Sequence, residues 1–312
     1  YSRGTINSGC VRNRGYELEI TATPVLTRDF RWNTTLTWSK NDNKILSLAE
    51  GADENQVIST VGTASIIGRV GGTTGDLWGY KLVRDPEGNV IIGDNGLPEQ
   101  ADEIEYVGTA YADWKAGWYN EFSYKGFKLG ILLDGQVGGT IYSMSFHKMM
   151  EQGKLTQSLN GRLPGTEYYM DANDPRIAAA GYTPQSGMYM IAPGVVRNDD
   201  GTFSPNTKVV TIESFYKEYY RRANVETNSF DASFLKIREI RLEYELPKKV
   251  LEKSPFSKAS IAVYGRNLWC FTDYPLFDPE SVALDGSSMV SGIETGSLPT
   301  TRTFGFNLNL TF

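Results

Sequence analysis

The sequence predicts an all-β fold, part of an antiparallel transmembrane β-barrel with long external loops, and three observations carry that prediction. The chain ends on a strand of strict period-two alternation, six earlier stretches repeat the one-sided pattern, and the connections between them alternate between short and very long. No apolar run approaches the ~18 residues of a membrane-spanning helix. A barrel instead crosses with strands of about 9 to 11 residues, each only half apolar, so a mean hydropathy of −0.35 is no obstacle.

The final strand, Thr303 to Phe312, sets Phe304, Phe306, Leu308, Leu310 and Phe312 on one face and Gly305, Asn307, Asn309 and Thr311 on the other. Large apolar groups facing small polar ones suit a wall between lipid and a wet lumen. Phe304, Phe306, Leu308, Leu310 and Phe312 are also the expected signal to the barrel-assembly machinery. Tyr16 to Thr23 alternates in the same way, with Glu17 and Glu19 opposite Leu18 and Ile20. Trp32 to Ser39 follows, with Asn33 and Thr35 opposite Leu36 and Trp38. Four more strands read as Trp114 to Tyr124, Phe127 to Gln136, Phe234 to Leu246 and Ser260 to Phe271. In the third of these the apolar parity changes between Ile237 and Ile240, which predicts a β-bulge near Arg238 and Glu239, unless one end of that strand lies outside the membrane. Glu17, Glu19, Asn33, Thr35, Asn307 and Asn309 are the expected lumen-facing residues. Trp32, Trp114, Trp118, Tyr124, Phe127 and Trp269 lie near strand ends, where aromatic girdles form.

Connections at Pro24 to Asp29, Lys125-Gly126 and Pro247 to Lys258 are short, whereas those near Lys44 to Asp113, Val137 to Asp231 and Thr272 to Thr301 are long. Soluble domains rarely carry structureless loops beyond about 15 residues, while barrels have short turns on one rim and long loops on the other. The long loops contain structure of their own. Asp174-Pro175 to Gly181 reads as a capped short helix, Ile212, Phe215, Tyr216, Tyr219 and Tyr220 have helical spacing, and Asp85 to Asn89 and Gly93 to Gly96 read as turns. Trp78, Tyr80, Tyr168, Tyr169, Tyr182 and Tyr189 fall in these loops. They are candidate substrate contacts, since sugars and peptides both bind aromatic faces; packing of loop on loop or on a capping protein accounts for them equally.

With 31 Lys and Arg against 37 Asp and Glu, the net charge of −6 argues against a polyanionic partner such as nucleic acid. Cys10 and Cys270 are expected as free thiols, and one His, His147, leaves no Cys/His metal site. Glu17 with Glu19, and Glu243 with Glu245, could suggest a glycosidase pair, but carboxylates two apart on a wet strand face are expected to line a lumen or pair with Arg12, Arg241 or Lys236. His147 lacks any nucleophile motif and reads as a loop residue. Gly68, Gly71, Gly72 and Gly75 lack phosphate-loop spacing and read as a flexible loop. No catalytic residue, cofactor or metal is expected. The chain opens on Tyr1, so its true N-terminus is expected to be missing or processed.

Several ordered motifs carry a family resemblance. Asp231-Ala232-Ser233-Phe234-Leu235-Lys236-Ile237-Arg238-Glu239-Ile240 precedes Tyr244-Glu245-Leu246-Pro247; then come Gly265-Arg266-Asn267-Leu268-Trp269, Phe277-Asp278-Pro279-Glu280 and Leu298 to Leu308. With Asn13 to Leu18 and Tyr124 to Phe127 upstream, the chain resembles the closing third of SusC/RagA-type TonB-linked transporters over nearly its whole length. The resemblance implies a 22-stranded barrel in the outer membrane of a Bacteroidetes-type bacterium, of which residues 1–312 supply the last seven strands. It further implies a SusD-like lipoprotein lid, energy from TonB, and import of an oligosaccharide or oligopeptide. The plug domain and TonB-contacting segment of such transporters find no match here. Gly93-Asp94-Asn95-Gly96 has fewer carboxylates than the Asp/Asn/Gly-rich run many relatives carry, too few for a calcium loop. The alternative is a structural or adhesive outer-membrane barrel binding ligands through its loops; an outer-membrane hydrolase or a soluble sandwich fits less.

Overall fold

The computed structural model describes residues 9–281, 283–285 and 288–312. One antiparallel sheet of seven strands forms a wall: β1 (Gly9–Leu26), β2 (Phe30–Leu48), β3 (Trp114–Tyr124), β4 (Phe127–Val137), β5 (Phe234–Glu245), β6 (Lys258–Phe271) and β7 (Thr303–Thr311). They pair in chain order, each with the next. These are the seven strands read from the sequence; β1 and β2 run well past the stretches that show clean alternation.

Register explains the two faces. Leu18 pairs with Trp38, Ile20 with Leu36, Leu36 with Trp118 and Trp118 with Leu133. The same face continues through Leu242 with Val263 and on to Phe306, and through Ile261 with Leu308. Its side chains remain exposed in this sheet, Leu308 at 56% and Phe306 at 76%. Polar groups on this face are paired: the Trp32 indole donates to Asn120 Oδ1 at 3.0 Å and the Trp118 indole to Thr34 Oγ1 at 2.9 Å. Aromatics gather at the short-turn rim, where Phe127 and Tyr244 lie 4.5 Å apart and Trp32 stacks on Phe122 at 5.8 Å.

The short turns follow their residues. Lys125 and Gly126 both have positive φ, 45° and 89°, the pair of left-handed residues that a two-residue hairpin matching strand twist requires. The bulge falls where parity predicts it: Ile237 pairs with Leu133 and Glu239 with Leu132, leaving Arg238 as the extra residue.

Apolar burial lies chiefly in the loops; the wall adds only Ile45, Phe234, Ala259 and Ala262 among the described residues. One core packs Phe146, Met150, Met190, Val210, Ile212 and Phe215. A second joins Ala64 and Leu77 of the first long loop to Tyr142 and Val225 of the second and Ile293 of the third, so the three loops fold on one another. Their elements include a four-stranded sheet from Gln56–Val61 to Glu105–Thr109 and three helices, α1 (Met144–Glu151), α2 (Pro175–Ala179) and α3 (Ile212–Tyr219). α2 starts as expected, with the Asp174 side chain accepting from the Arg176 N–H.

Two expectations are corrected here. The Gly68 to Gly75 stretch is not a flexible loop. Gly68 ends a strand, Gly71 N–H donates to the Ile45 carbonyl and Ile45 N–H to the Gly72 carbonyl, and Asp76 takes the Thr73 N–H at 2.9 Å. His147 is not a loose loop residue either: it lies in α1, fully buried, because the amphipathic helix turns that side toward the loop core.

Candidate functional site

The polar face of the wall is built by the other parity. Glu17 pairs with Ser39, Glu19 with Thr37 and Thr21 with Thr35, and Asn33 lies opposite Glu121. On the far side Asn307 pairs with Ala262 and Asn309 with Ser260. All six residues expected to face the lumen therefore share this face. Side chains knit across strands, Thr23 donating to Asn33 at 2.9 Å and Asn33 to Glu121 at 3.3 Å, while within β3 the Tyr119 hydroxyl donates to Glu121 at 3.3 Å. Glu243 meets Arg241 at 2.6 Å and Lys128 at 3.8 Å, while Glu239 takes Arg266 at 2.6 Å. The Glu243 and Glu245 pair is thus neutralised by neighbouring cations, which is the work of a hydrated wall rather than of general acid–base chemistry. Beside Glu17 and Glu19, a hollow of about 470 Å³ is completed by Thr37, Ser39, Lys115 and Asp134.

An ionic cluster ties the third long loop to this face. Lys236 Nζ reaches Asp278 Oδ1 at 2.6 Å and also bonds Glu280, and both Lys236 and Asp278 side chains are 5% exposed. Arg238, freed from the ladder by the bulge, reaches Asp134 at 2.5 Å and Glu280 at 2.7 Å. The bulge puts Lys236, Arg238 and Glu239 within one short stretch facing the polar side, which regular alternation would not allow. Burial alone would raise Asp278, but the bonds from Lys236 and the Glu280 N–H outweigh it and hold the carboxyl below its ordinary value. Phe277-Asp278-Pro279-Glu280, noted in the sequence only as a motif, is the loop's anchor to the wall.

Within the loops, Glu294 is 1% exposed and takes hydrogen bonds from Ser143 Oγ at 2.6 Å, Ser145 Oγ at 2.8 Å and the Ser297 N–H at 2.8 Å, beside the start of α1. His147 Nδ1 lies 2.6 Å from the Tyr220 carbonyl, so the neutral ring donates there, and Nε2 faces Glu151 at 3.8 Å. Burial lowers the His147 pKa, more than the Tyr220 carbonyl and Glu151 raise it. The unfolded state then takes the proton first, near pH 6.5. Stability from the neutral ring is complete above that value and is lost as pH falls toward the folded pKa. Hydrogen-exchange protection factors in α1 and α3 of the full-length protein, which divide out the intrinsic pH dependence of exchange, are expected to fall as pH drops below 6.5, and His147→Gln is expected to flatten that fall. A pH-independent protection factor in the unaltered protein would rule the mechanism out.

The six loop aromatics occupy separate surroundings. Trp78 meets Tyr106 edge-on at 6.1 Å, Tyr80 pairs through its backbone with Asn224, and Tyr168 is half-buried against the larger core. Tyr169 is half-buried. Tyr182 stacks on Tyr189 at 4.8 Å, and the buried Tyr189 donates its hydroxyl to the Thr183 carbonyl. Cys10 and Cys270 are both free. No cluster of acidic, His or Cys residues suited to a metal ion occurs among the described residues. The ionic cluster had one legible trace in the sequence, the parity break at Arg238; its partners come from segments 42 and 104 residues away.

No family model matches the chain. It is 26% identical over 334 residues to TonB-dependent receptor P3 of Formosa agariphila, covering 98% of this chain and 29% of that protein. It is also 26% identical over 151 residues to TonB-dependent receptor SusC of Bacteroides thetaiotaomicron, covering 44% of this chain and 15% of SusC. Among solved structures, the RagAB peptide importer in its closed-closed state superposes with a TM-score of 0.63 at 15% identity, over 98% of this chain and 30% of the matched one. The open-open state gives 0.62. The chain thus spans under a third of the relatives that it matches along its length. Joined to a wall with one lipid-suited face and one wet face, these likenesses make the chain a portion of an outer-membrane β-barrel, similar to SusC and to other TonB-dependent receptors.

Proposed function

We propose that the receptor containing this chain imports oligosaccharides or oligopeptides across the outer membrane, without covalent chemistry. Residues 1–312 are assigned as the C-terminal part of its one barrel domain, completed by further strands and a plug elsewhere in the receptor. A SusD-like surface lipoprotein is the lid, and TonB supplies energy through an N-terminal region. The observation that carries this reading is the two-faced wall roofed by three mutually packed loops, one of them tied to the polar face through Lys236 and Arg238. A lumen lined by Glu17, Glu19, Asn33, Thr35, Asn307 and Asn309 gives polar cargo a wet path. Trp78, Tyr80, Tyr168, Tyr169 and Tyr182 are half-buried and are the favoured cargo contacts; the buried Tyr189 acts by stacking on Tyr182. The solved neighbour described as a peptide importer supports an oligopeptide, and the likeness to SusC supports nutrient uptake more generally.

The test is uptake of fluorescent oligosaccharides and oligopeptides by cells lacking the receptor gene, by complemented cells and by cells lacking TonB. Uptake of one class that disappears in both deletions and returns on complementation is expected. Undiminished uptake of both classes, together with lost surface adhesion, would move the receptor to the adhesive reading.

A further inference from the structure

The loops contain a second feature, set apart from the ionic cluster on the wall. A cleft of about 670 Å³ opens beside α1 and α3, and its lining includes Lys148, Arg162, Lys217 and Met188 together with the carboxylates Glu151 and Glu213. Two of the three cations have partners: Lys148 meets Glu151 at 2.9 Å and Lys217 meets Glu213 at 2.5 Å. Arg162 meets no carboxylate among the described residues. Its Nε donates to the Ser158 carbonyl at 3.1 Å, which orients the guanidinium and leaves its two terminal nitrogens without a hydrogen bond among the described residues. The backbone holds the site closely: a Cβ at Gly187, where φ is +68°, would stand 2.4 Å from the Arg162 carbonyl oxygen. The first turn of α3, capped by Thr211, also opens on the cleft and adds positive potential.

We propose that this cleft binds a single carboxylate group of the cargo, with the Arg162 guanidinium as its bidentate partner. A planar fork of N–H donors matches a carboxylate's two oxygens, and charge-assisted pairs of this kind are the strong ones. Charge selects the valence: three lining cations less two carboxylates leave +1, which one monoanion neutralises and a phosphate dianion would exceed. Met188, 43% exposed beside Gly187, offers an apolar contact for the group that bears the carboxylate. Naming the ligand as cargo rests on the import reading; binding at the cleft does not.

The probes are acetyl-tetraalanine with a free C-terminal carboxylate and its C-terminal amide, and the methyl glycoside of galacturonate, which carries one carboxylate, with its neutral methyl ester. Each is titrated calorimetrically into the purified full-length receptor in detergent. At least one free acid is expected to bind saturably, about tenfold or more tighter than its neutral form, and more weakly as salt rises. Which acid binds identifies peptide or uronate as the carrier. Arg162→Ala is expected to reduce binding to the level of the neutral probe. Arg162→Lys keeps the charge, loses the fork and is expected to fall between, which separates recognition from a folding defect. Equal binding of acid and neutral forms, binding that survives Arg162→Ala, or no binding of either acid overturns the proposal. Arg162-dependent binding in a receptor whose deletion leaves uptake unchanged would keep the site and remove the import reading. Uptake that needs the receptor, with no acid bound, would remove the site alone.

Discussion

Leu308→Arg is expected to destabilise the barrel by about 2 to 4 kcal/mol, the cost of a cation facing lipid near the membrane midplane. Leu308 sits past the middle of β7, paired with Ile261, with Phe306 and Leu310 on the same face. It is 56% exposed among the described residues, an exposure costly in water and favourable in hydrocarbon. Asn307→Arg provides the control. It lies one residue away on the opposite face, opposite Ala262, where an arginine can be hydrated. Equilibrium urea unfolding of the full-length receptor in lipid vesicles, read by tryptophan fluorescence, compares the two. A large loss for Leu308→Arg beside a small one for Asn307→Arg is expected. Equal losses would mean that parity does not separate lipid from lumen here.

Lys236→Met is expected to cost about 3 to 5 kcal/mol, because removing one partner of a buried ion pair strands the other charge. Among the described residues Lys236 is the one cation paired with Asp278, and its ammonium also lies 4.6 Å from the Phe234 ring centre. The loss should be local: residues 272–301 detach from the wall while the wall stays paired. Limited proteolysis of the full-length receptor is therefore the sensitive readout, with cleavage in that loop rising strongly and the heat-resistant mobility of the barrel on a gel largely kept. Adding Asp278→Leu is expected to restore much of the protection, since replacing both partners by apolar groups is often neutral. If the single variant resists protease as the parent does, Glu280 with Arg238 is holding the loop unaided.

The wall was legible in the sequence because its signal is local. Alternation from Thr303 to Phe312 needs no knowledge of any other strand, and a parity slip between Ile237 and Ile240 has few explanations besides a bulge. β1 and β2 were shortened at sequence level where alternation fades, from Gly9 to Gly15 and from Lys40 to Leu48, since pairing there is decided by the neighbouring strand and by loop residues such as Thr74 bonding Asn43. The loop body was largely illegible for a related reason. Its core is assembled from Leu77, Tyr142, Val225 and Ile293, residues from three connections whose meeting no periodicity encodes. His147 shows the cost: an isolated histidine among apolar and polar neighbours does not say whether its own side is buried. Arg162 gave none either, since an unpaired cation is recognised only once its neighbours are in place.

Arg238 also bears on how such a receptor can change over generations. Reading β5 without it gives Lys236-Ile237-Glu239-Ile240-Arg241-Leu242, an unbroken alternation with every remaining side chain on its observed face. The residue that reaches Asp134 and Glu280 is therefore a surplus letter in the strand. Insertion or loss of one codon at this point alters how firmly the external loop is moored while leaving the inside and outside of the wall spelled as before. Loop anchoring and barrel architecture can thus drift separately, which is a useful freedom for a protein whose outer surface must follow whatever its surroundings offer.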